Sequence, residues 1–407
     1  MTINPIFFLH RMRMVATVML FFTVWGCAPG KQETITRLNS LKAVKPNAYP
    51  VFTDAFGFQG LDASIDQSLV YFKRVPFDRT YQYGEQVFTA AHMIVSLETL
   101  KEYLKTNPSE KDLNRFLASR YLVYESVGNE AEQVLFTGYY EPTYEGSLVQ
   151  TDEYTIPIYS KPGDLLEIDL AAFSDKYKGH RRLKARVNKA DNRVVPYYSR
   201  AQINAIEDFH LRSEPVAWLK NRVDRFFLEI QGSGRVKLDT DEEIQVHYAS
   251  SNGNAYTSVG RYLIAKEEIA KEDMSMQAIR KWLEQHPERV DEVLHQNESF
   301  VFFQRQTDGP KGSIGVKVTP IRSIATDYRI FPRGALCFIQ TRLPDQETLQ
   351  PLKEWPKASL FVMNQDTGGA IRGPARADLF CGNGAYAEFT AGHKNVYGKM
   401  YFLVLKP

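Results

Sequence analysis

The stretch that decides the fold reads Asp366-Thr367-Gly368-Gly369-Ala370-Ile371-Arg372-Gly373, continuing through Pro374-Ala375-Arg376-Ala377 to Asp378-Leu379-Phe380-Cys381-Gly382. Two carboxylates flank a glycine-rich turn. Glycines let backbone come close to a bulky ligand, and a strand that ends in such a turn can present a carboxylate at the floor of a groove. Aspartates in turns more often bond only to the neighbouring backbone, so this stretch taken alone favours a plain structural turn.

Around it, short β-branched and aromatic runs broken by Gly and Pro predict strands at Val134 to Tyr140, Thr155 to Tyr159, Phe226 to Ile230, Phe300 to Phe303, Ile314 to Val318, Ala335 to Gln340, Leu360 to Met363 and Met400 to Leu405. Their spacing is that of an all-β barrel. Helices are few. Ser96 is placed to cap a helix carrying Leu97, Leu100 and Leu104, Ser109 with Asp112 forms a capping box before Leu113, and Asp273 or Ser275 opens a segment with Met276, Ile279 and Leu283 on one face. No repeat of solenoid length recurs.

Templates for other chemistries fail. The eight histidines are scattered and no Cys pair has ligand spacing, so neither a metal nor an organic cofactor is expected. Ser233, in Gln231-Gly232-Ser233-Gly234, lacks the nucleophile-elbow spacing. Gly382-Asn383-Gly384 with Ala387 imitates a dinucleotide fingerprint, but its region reads as all-β.

The first 26 residues hold Arg11 and Arg13, no acidic residue, and an apolar run from Met14 to Val24 that is too short to span a membrane as a helix. They read as a secretory signal, and Val24-Trp25-Gly26-Cys27 as a lipobox whose Cys27 takes the lipid. Residues 27–50 read as a tether. Without the signal the chain has 48 basic against 48 acidic residues, the two signal arginines being taken from 50, and no basic patch suited to nucleic acid. Aromatic residues make up 13% of the chain, which suits carbohydrate binding and a packed β core alike. Cys337 and Cys381 are left either to pair or to remain buried thiols.

The ordered blocks carry a resemblance. Asp366 to Gly373, Asp378 to Gly382 and Ala391-Gly392 through Gly398 are similar to the C-terminal three-aspartate (3D) domain of the MltA family of membrane-bound lytic transglycosylases, and Val318 to Asp327 with Ile330 to Gly334 resembles the segment supplying its first aspartate. Phe136 to Pro142, Ile230 to Gly234, Asp273 to Gln277 and Ser299 to Phe303 resemble the family's other blocks, in the family's order. The resemblance covers roughly residues 80 to 406. Asp366 and Asp378 stand one residue further apart than in the family, Ala377 sits where an aromatic or apolar residue is common, and Lys161 to Arg193 is longer than the family core.

The resemblance implies a mainly β fold: a double-psi β-barrel made by residues 51–140 and 308–407, with a second β domain inserted at 141–307, a few helices, and a groove between the two. It implies cleavage of the β-1,4 bond from N-acetylmuramic acid to N-acetylglucosamine in peptidoglycan, with a 1,6-anhydro ring formed on the muramic residue. Asp378 is the implied acid and base, Asp366 and Asp327 are supporting carboxylates, and Thr137, Gly138, Tyr140, Gln231 and Ser233 are groove residues. The partners implied are glycan strands and, through Cys27, the outer membrane on its periplasmic side. A hydrolytic glycosidase on the same barrel and a non-catalytic peptidoglycan-binding lipoprotein remain as alternatives.

Overall fold

The computed structural model describes residues 36–178, 182–349, 353 and 355–407. Cys27 and the signal segment lie outside the described residues.

Six strands close into a barrel: β1 Val134–Tyr139, β2 Ser323–Ala325, β3 Leu336–Arg342, β4 Lys357–Asp366, β5 Arg376–Phe380 and β6 Val396–Leu405. Hydrogen bonding runs β6-β3-β4-β2-β5-β1 and returns from β1 to β6, so these six leave no open edge among themselves. The pairs β2/β4 and β5/β1 are parallel and the others antiparallel. Two further strands, Tyr121–Ser126 and Leu41–Ala43, extend the sheet outward from β6. The stretch expected to be a tether up to residue 50 therefore already belongs to the sheet, since Leu41 pairs with Ser126 and is buried.

Sequence alternation explains which side of each strand meets the core. On β5, Ala377 and Leu379 are fully buried, so Arg376 and Asp378 point away from the barrel core; on β1, Phe136 is fully buried and Thr137 and Tyr139 are only partly covered. β3 has no such alternation. Leu336, Cys337, Phe338 and Ile339 are all buried, because Phe52 and its surroundings cover the outer side of the strand and ring contacts join Phe52 to Phe338 at 4.9 Å. Arg322, fully buried, ties the N-terminal segment to the barrel through a fork on Asp54 at 2.6 and 2.8 Å and through the carbonyls of Gln59 and Phe361.

Helices Leu61–Arg74 and Ala90–Leu104 pack outside β4 and β6. The second starts earlier than Ser96. Thr89 is its cap, and Ser96 lies buried mid-helix, accepting the amide of Leu405 at 2.9 Å. Ser109 caps Glu110–Arg120 and Ser275 caps Met276–Gln285, as their spacing predicts.

Residues 143–306 form a separate mixed sheet, ordered Val301–Gln306, Glu243–Ser251, Ser233–Leu238, Thr143–Ser147, Pro215–Leu219, Ile156–Tyr159, with helices on it that hold a core of their own. Three sequence expectations fail in detail. Phe226 to Ile230 is helical, within Arg222–Gln231, because Asn221 caps it through the Asp224 amide and Gly232 ends it in a left-handed conformation. Ile314 to Val318 is an irregular loop held by one bridge between Lys311 and Lys317, although its apolar side chains are buried. The C-terminal region is not all-β, since Ala385–His393 is a helix directly after the glycine turn. The strand after that helix pairs antiparallel to β1 and β3, so the parallel βαβ unit of a dinucleotide site is still missing. Lys161 to Arg193 supplies most of a small three-stranded sheet, and Cys337 and Cys381 are buried free thiols.

Candidate functional site

Ala325 on β2 is the register partner of Asp366 on one side and of Asp378 on the other. The two carboxylates are therefore level, two strand spacings apart, about 9.5 Å at the backbone.

Their surroundings differ. Asp378 stands beside Thr137, its partner in the parallel β5/β1 register, and the Thr137 hydroxyl donates to Oδ1. Arg376, two residues earlier on the same face, donates from Nε to the same oxygen at 3.3 Å and from Nη2 to the Thr137 hydroxyl at 3.4 Å. Among the described residues nothing donates to Oδ2, and the side chain is 17% exposed. Burial raises the pKa of Asp378 above the usual carboxylate range, while Arg376 and Thr137 act in the other direction.

Both oxygens of Asp366 are occupied. Oδ1 accepts the amides of Ser313 at 2.8 Å and Thr367 at 2.7 Å, and Oδ2 accepts the Tyr139 hydroxyl at 2.9 Å. Burial pushes Asp366 up to about 6 against these three donors, with the Asp378 charge adding to the rise. Tyr139 is raised further still, by burial and by the same two carboxylates.

Asp327 does a third thing. Its side chain is 1% exposed and accepts Arg329 Nε at 2.8 Å and Nη2 at 2.6 Å, the Arg329 amide at 3.1 Å and the Gly373 amide at 2.9 Å. Burial alone would raise its pKa, but Arg329 and the Gly373 amide hold it below the ordinary value. Through Gly373 it clamps the loop that separates Asp366 from Asp378.

The remaining expected groove residues divide. Thr137 is at the carboxylate. Gly138 is in tight backbone packing, where a Cβ would meet Ala391 Cα at 2.8 Å and the Cys381 sulfur at 3.1 Å. Tyr140, expected on the groove wall, is buried against Cys381 and Ala387, because on a strand of period two it faces opposite to Tyr139. Gln231 is half-buried: Oε1 accepts the Tyr140 amide at 3.0 Å and Nε2 lies 3.6 Å from the Met276 sulfur. Ser233 is buried at a strand start opposite His247. Tyr140 and Gln231 belong to the junction between the barrel and the second sheet, which Asn383 also bridges through Thr143 at 3.2 Å and Gln277 through the Glu388 carbonyl at 3.2 Å.

Sequence reading missed Arg376 and Tyr256. Arg376 was legible as the outward neighbour two residues before Asp378. Tyr256 comes from the 252–258 loop and carries no local signal; burial raises its hydroxyl pKa, and the charges of both Arg376 and Asp378 act on it.

Comparisons with known proteins identify the family. Residues 135–304 match the MltA specific insert domain and residues 322–404 the 3D domain. Membrane-bound lytic murein transglycosylase A of Escherichia coli (strain K12) is 32% identical over 318 residues, covering 76% of this chain and 75% of that one; the Vibrio cholerae protein of the same name is 29% identical over 286 residues, covering 69% and 67%. A membrane-bound lytic murein transglycosylase from Agrobacterium tumefaciens superposes with a TM-score of 0.71 at 27% identity, over 90% of this chain and 98% of that one. Escherichia coli MltA, solved with bound chitohexaose, superposes with a TM-score of 0.69 at 26% identity, over 92% and 97%. With the two domain matches and the Escherichia coli relative in agreement, the chain belongs to the MltA family of lytic transglycosylases that carry a 3D domain.

Proposed function

We propose that this protein is a peptidoglycan lytic transglycosylase in which Asp378 performs both proton transfers, at a groove between the barrel domain of residues 41–140 and 308–407 and the insert of residues 141–307. The observation that carries the reading is the asymmetry at Asp378: Oδ1 is held by Thr137 and Arg376, Oδ2 is open, and burial favours the protonated form.

In the first step the Oδ2 proton passes to the glycosidic oxygen. The bond from C1 of the muramic residue to that oxygen breaks, and its electron pair leaves with the oxygen as the 4-hydroxyl of N-acetylglucosamine. The C6 hydroxyl oxygen of the same muramic residue then forms a bond to C1, and its proton goes to the Asp378 carboxylate. The acid is regenerated and no water is consumed. A hydrolase would need a second carboxylate free to activate water or to attack C1. Asp366 is poorly suited to that task with both oxygens already accepting hydrogen bonds. None of these steps calls on a metal or cofactor.

Mass spectrometry of digested peptidoglycan tests the reading. Anhydro-muramic ends are expected; reducing ends would make the protein a hydrolase, and intact strands a binding protein. The names of the membrane-bound relatives and the lipobox at Cys27 support a lipid-anchored protein of the outer membrane facing the periplasm. A Cys27→Ser protein is expected to leave the membrane fraction, and its retention at wild-type level would remove the anchor from this account.

A further inference from the structure

We infer that Arg376 is a positioning residue for proton transfer: it fixes Oδ1 of Asp378 as the oxygen that stays an acceptor and leaves Oδ2 as the oxygen that carries the proton. The inference rests on the role proposed for Asp378 and adds to it the choice between that residue's two oxygens.

The argument begins with strand geometry. Residues 376 and 378 share the outward side of β5, and Thr137 is the parallel partner of Asp378 on β1. Arg376 Nε, Asp378 Oδ1, Thr137 Oγ1 and Arg376 Nη2 form a closed ring of contacts, with Nε to Oδ1 at 3.3 Å and Nη2 to Oγ1 at 3.4 Å. A planar guanidinium bridges two acceptors at fixed spacing in a way that an ammonium does not. With Nη2 directed at the Thr137 oxygen, the threonine proton is turned towards Oδ1. That oxygen then receives two donors and cannot also carry a proton without losing one of them.

A single acid that must give a proton and then take one back needs a balance. Burial alone would keep Asp378 protonated and make it a poor base for the C6 hydroxyl; a cation in contact alone would strip it at neutral pH and make it a poor acid. Arg376 supplies the opposing charge at the oxygen that does not react. Its side chain is 34% exposed, so its charge is partly screened and weakens the burial effect without cancelling it.

The other groups around Asp378 do not substitute for this. Tyr139 on β1 donates its hydroxyl to Asp366, and Asp366 on β4 is pushed up to about 6 by burial. Burial pushes the Cys381 thiol, beyond the end of β5, up to about 12 and also raises the Tyr256 hydroxyl. Arg376 is the described cation whose side chain contacts Asp378.

The test is the pH dependence of kcat and kcat/KM on purified glycan strands for Arg376→Gln and Arg376→Lys, with anhydro ends counted as product. Arg376→Gln should move the basic limb of kcat/KM upward by about one pH unit, because the acid holds its proton longer, and should lower kcat about tenfold at the new optimum, with KM little changed. Arg376→Lys keeps the charge but loses the bridge, so its limb should stay near wild type while kcat falls. A folded Arg376→Gln protein whose basic limb overlays wild type, with activity lowered evenly at every pH, would make Arg376 merely structural and overturn the inference. Should that variant fail to fold, the Lys variant decides, and wild-type kcat in it would overturn the inference equally. Reducing ends from the wild-type enzyme would instead be a failure of the transglycosylase reading itself.

Discussion

Asp378 and Asp366 are level partners of one alanine, yet among the described residues one keeps an oxygen without a donor and the other has none free. Both are raised by burial. A perturbed carboxyl is therefore not enough to identify the reacting one, and by pKa alone Asp366, at about 6, would be the better candidate for an acid. The geometry of the second oxygen separates them. A proton carrier needs an oxygen that substrate can reach.

The largest effect that would break this contrast is at Asp378. Asp378→Asn keeps the shape and one acceptor for Thr137 and Arg376 but has no proton to give, and kcat should fall about 10² to 10⁴-fold with the fold intact and glycan still bound. Near wild-type turnover in a folded protein would move the chemistry elsewhere.

Asp327→Asn asks a different question of the same motif, because its carboxylate touches a loop clamp and not an open oxygen. Arg329 is 54% exposed and can return to water when its partner is lost, which places the expected cost at about 1 to 2 kcal/mol of stability, below that of a fully buried pair. Activity should fall by less than in Asp378→Asn, through a loosened Gly373. The pH dependence has a definite sign. Asp327 has a folded pKa below its unfolded value, so its contribution is present above about pH 4 and is lost as pH falls through the folded pKa. Thermal melts from pH 7 down to pH 2 should show the variant and wild type converging at the acid end; a gap unchanged at pH 2 would count against the ion pair as the cause.

How much of this was legible in the sequence follows from physical range. Motif blocks led to the barrel and the insert, and to Asp378 as a candidate, because the residues that carry each block are contiguous in the sequence. Tyr140 and Tyr139 are adjacent in sequence, and the period of two, once β1 is recognised, sends one inward and one toward Asp366. The strand misread at Phe226 is a matter of local composition: two phenylalanines and an isoleucine suit either element, and the Asn221 cap with Gly232 at the far end decides for helix. What no local pattern could supply is the set of contacts across the fold. Tyr256 near Asp378, Ser313 on Asp366 and Gln231 on Tyr140 each join segments separated by dozens of residues.

The finest test of the contrast is Asp366→Asn, where stability and activity should move in opposite directions. Asparagine can keep all three contacts: its carbonyl oxygen accepts the Ser313 and Thr367 amides, and its amide donates to the Tyr139 oxygen, whose own proton is then free to turn away. What disappears is a desolvated charge. Because the folded pKa of Asp366, about 6, lies above its unfolded value, ionisation costs stability as pH rises through that range. The variant should therefore match wild type below about pH 4 and melt at a slightly higher temperature at pH 7. Activity should fall modestly. Removing the negative charge level with Asp378 also lets that acid lose its proton sooner, so the basic limb of kcat/KM should shift downward, opposite to Arg376→Gln. The shift should be well under one pH unit, because burial, not the neighbouring carboxylate, is the main reason Asp378 is raised. A variant that melts below wild type at pH 7 would mean that the charge of Asp366 is needed to hold Ser313 and Tyr139 in place, and the two carboxylates would then differ less than their hydrogen bonds suggest.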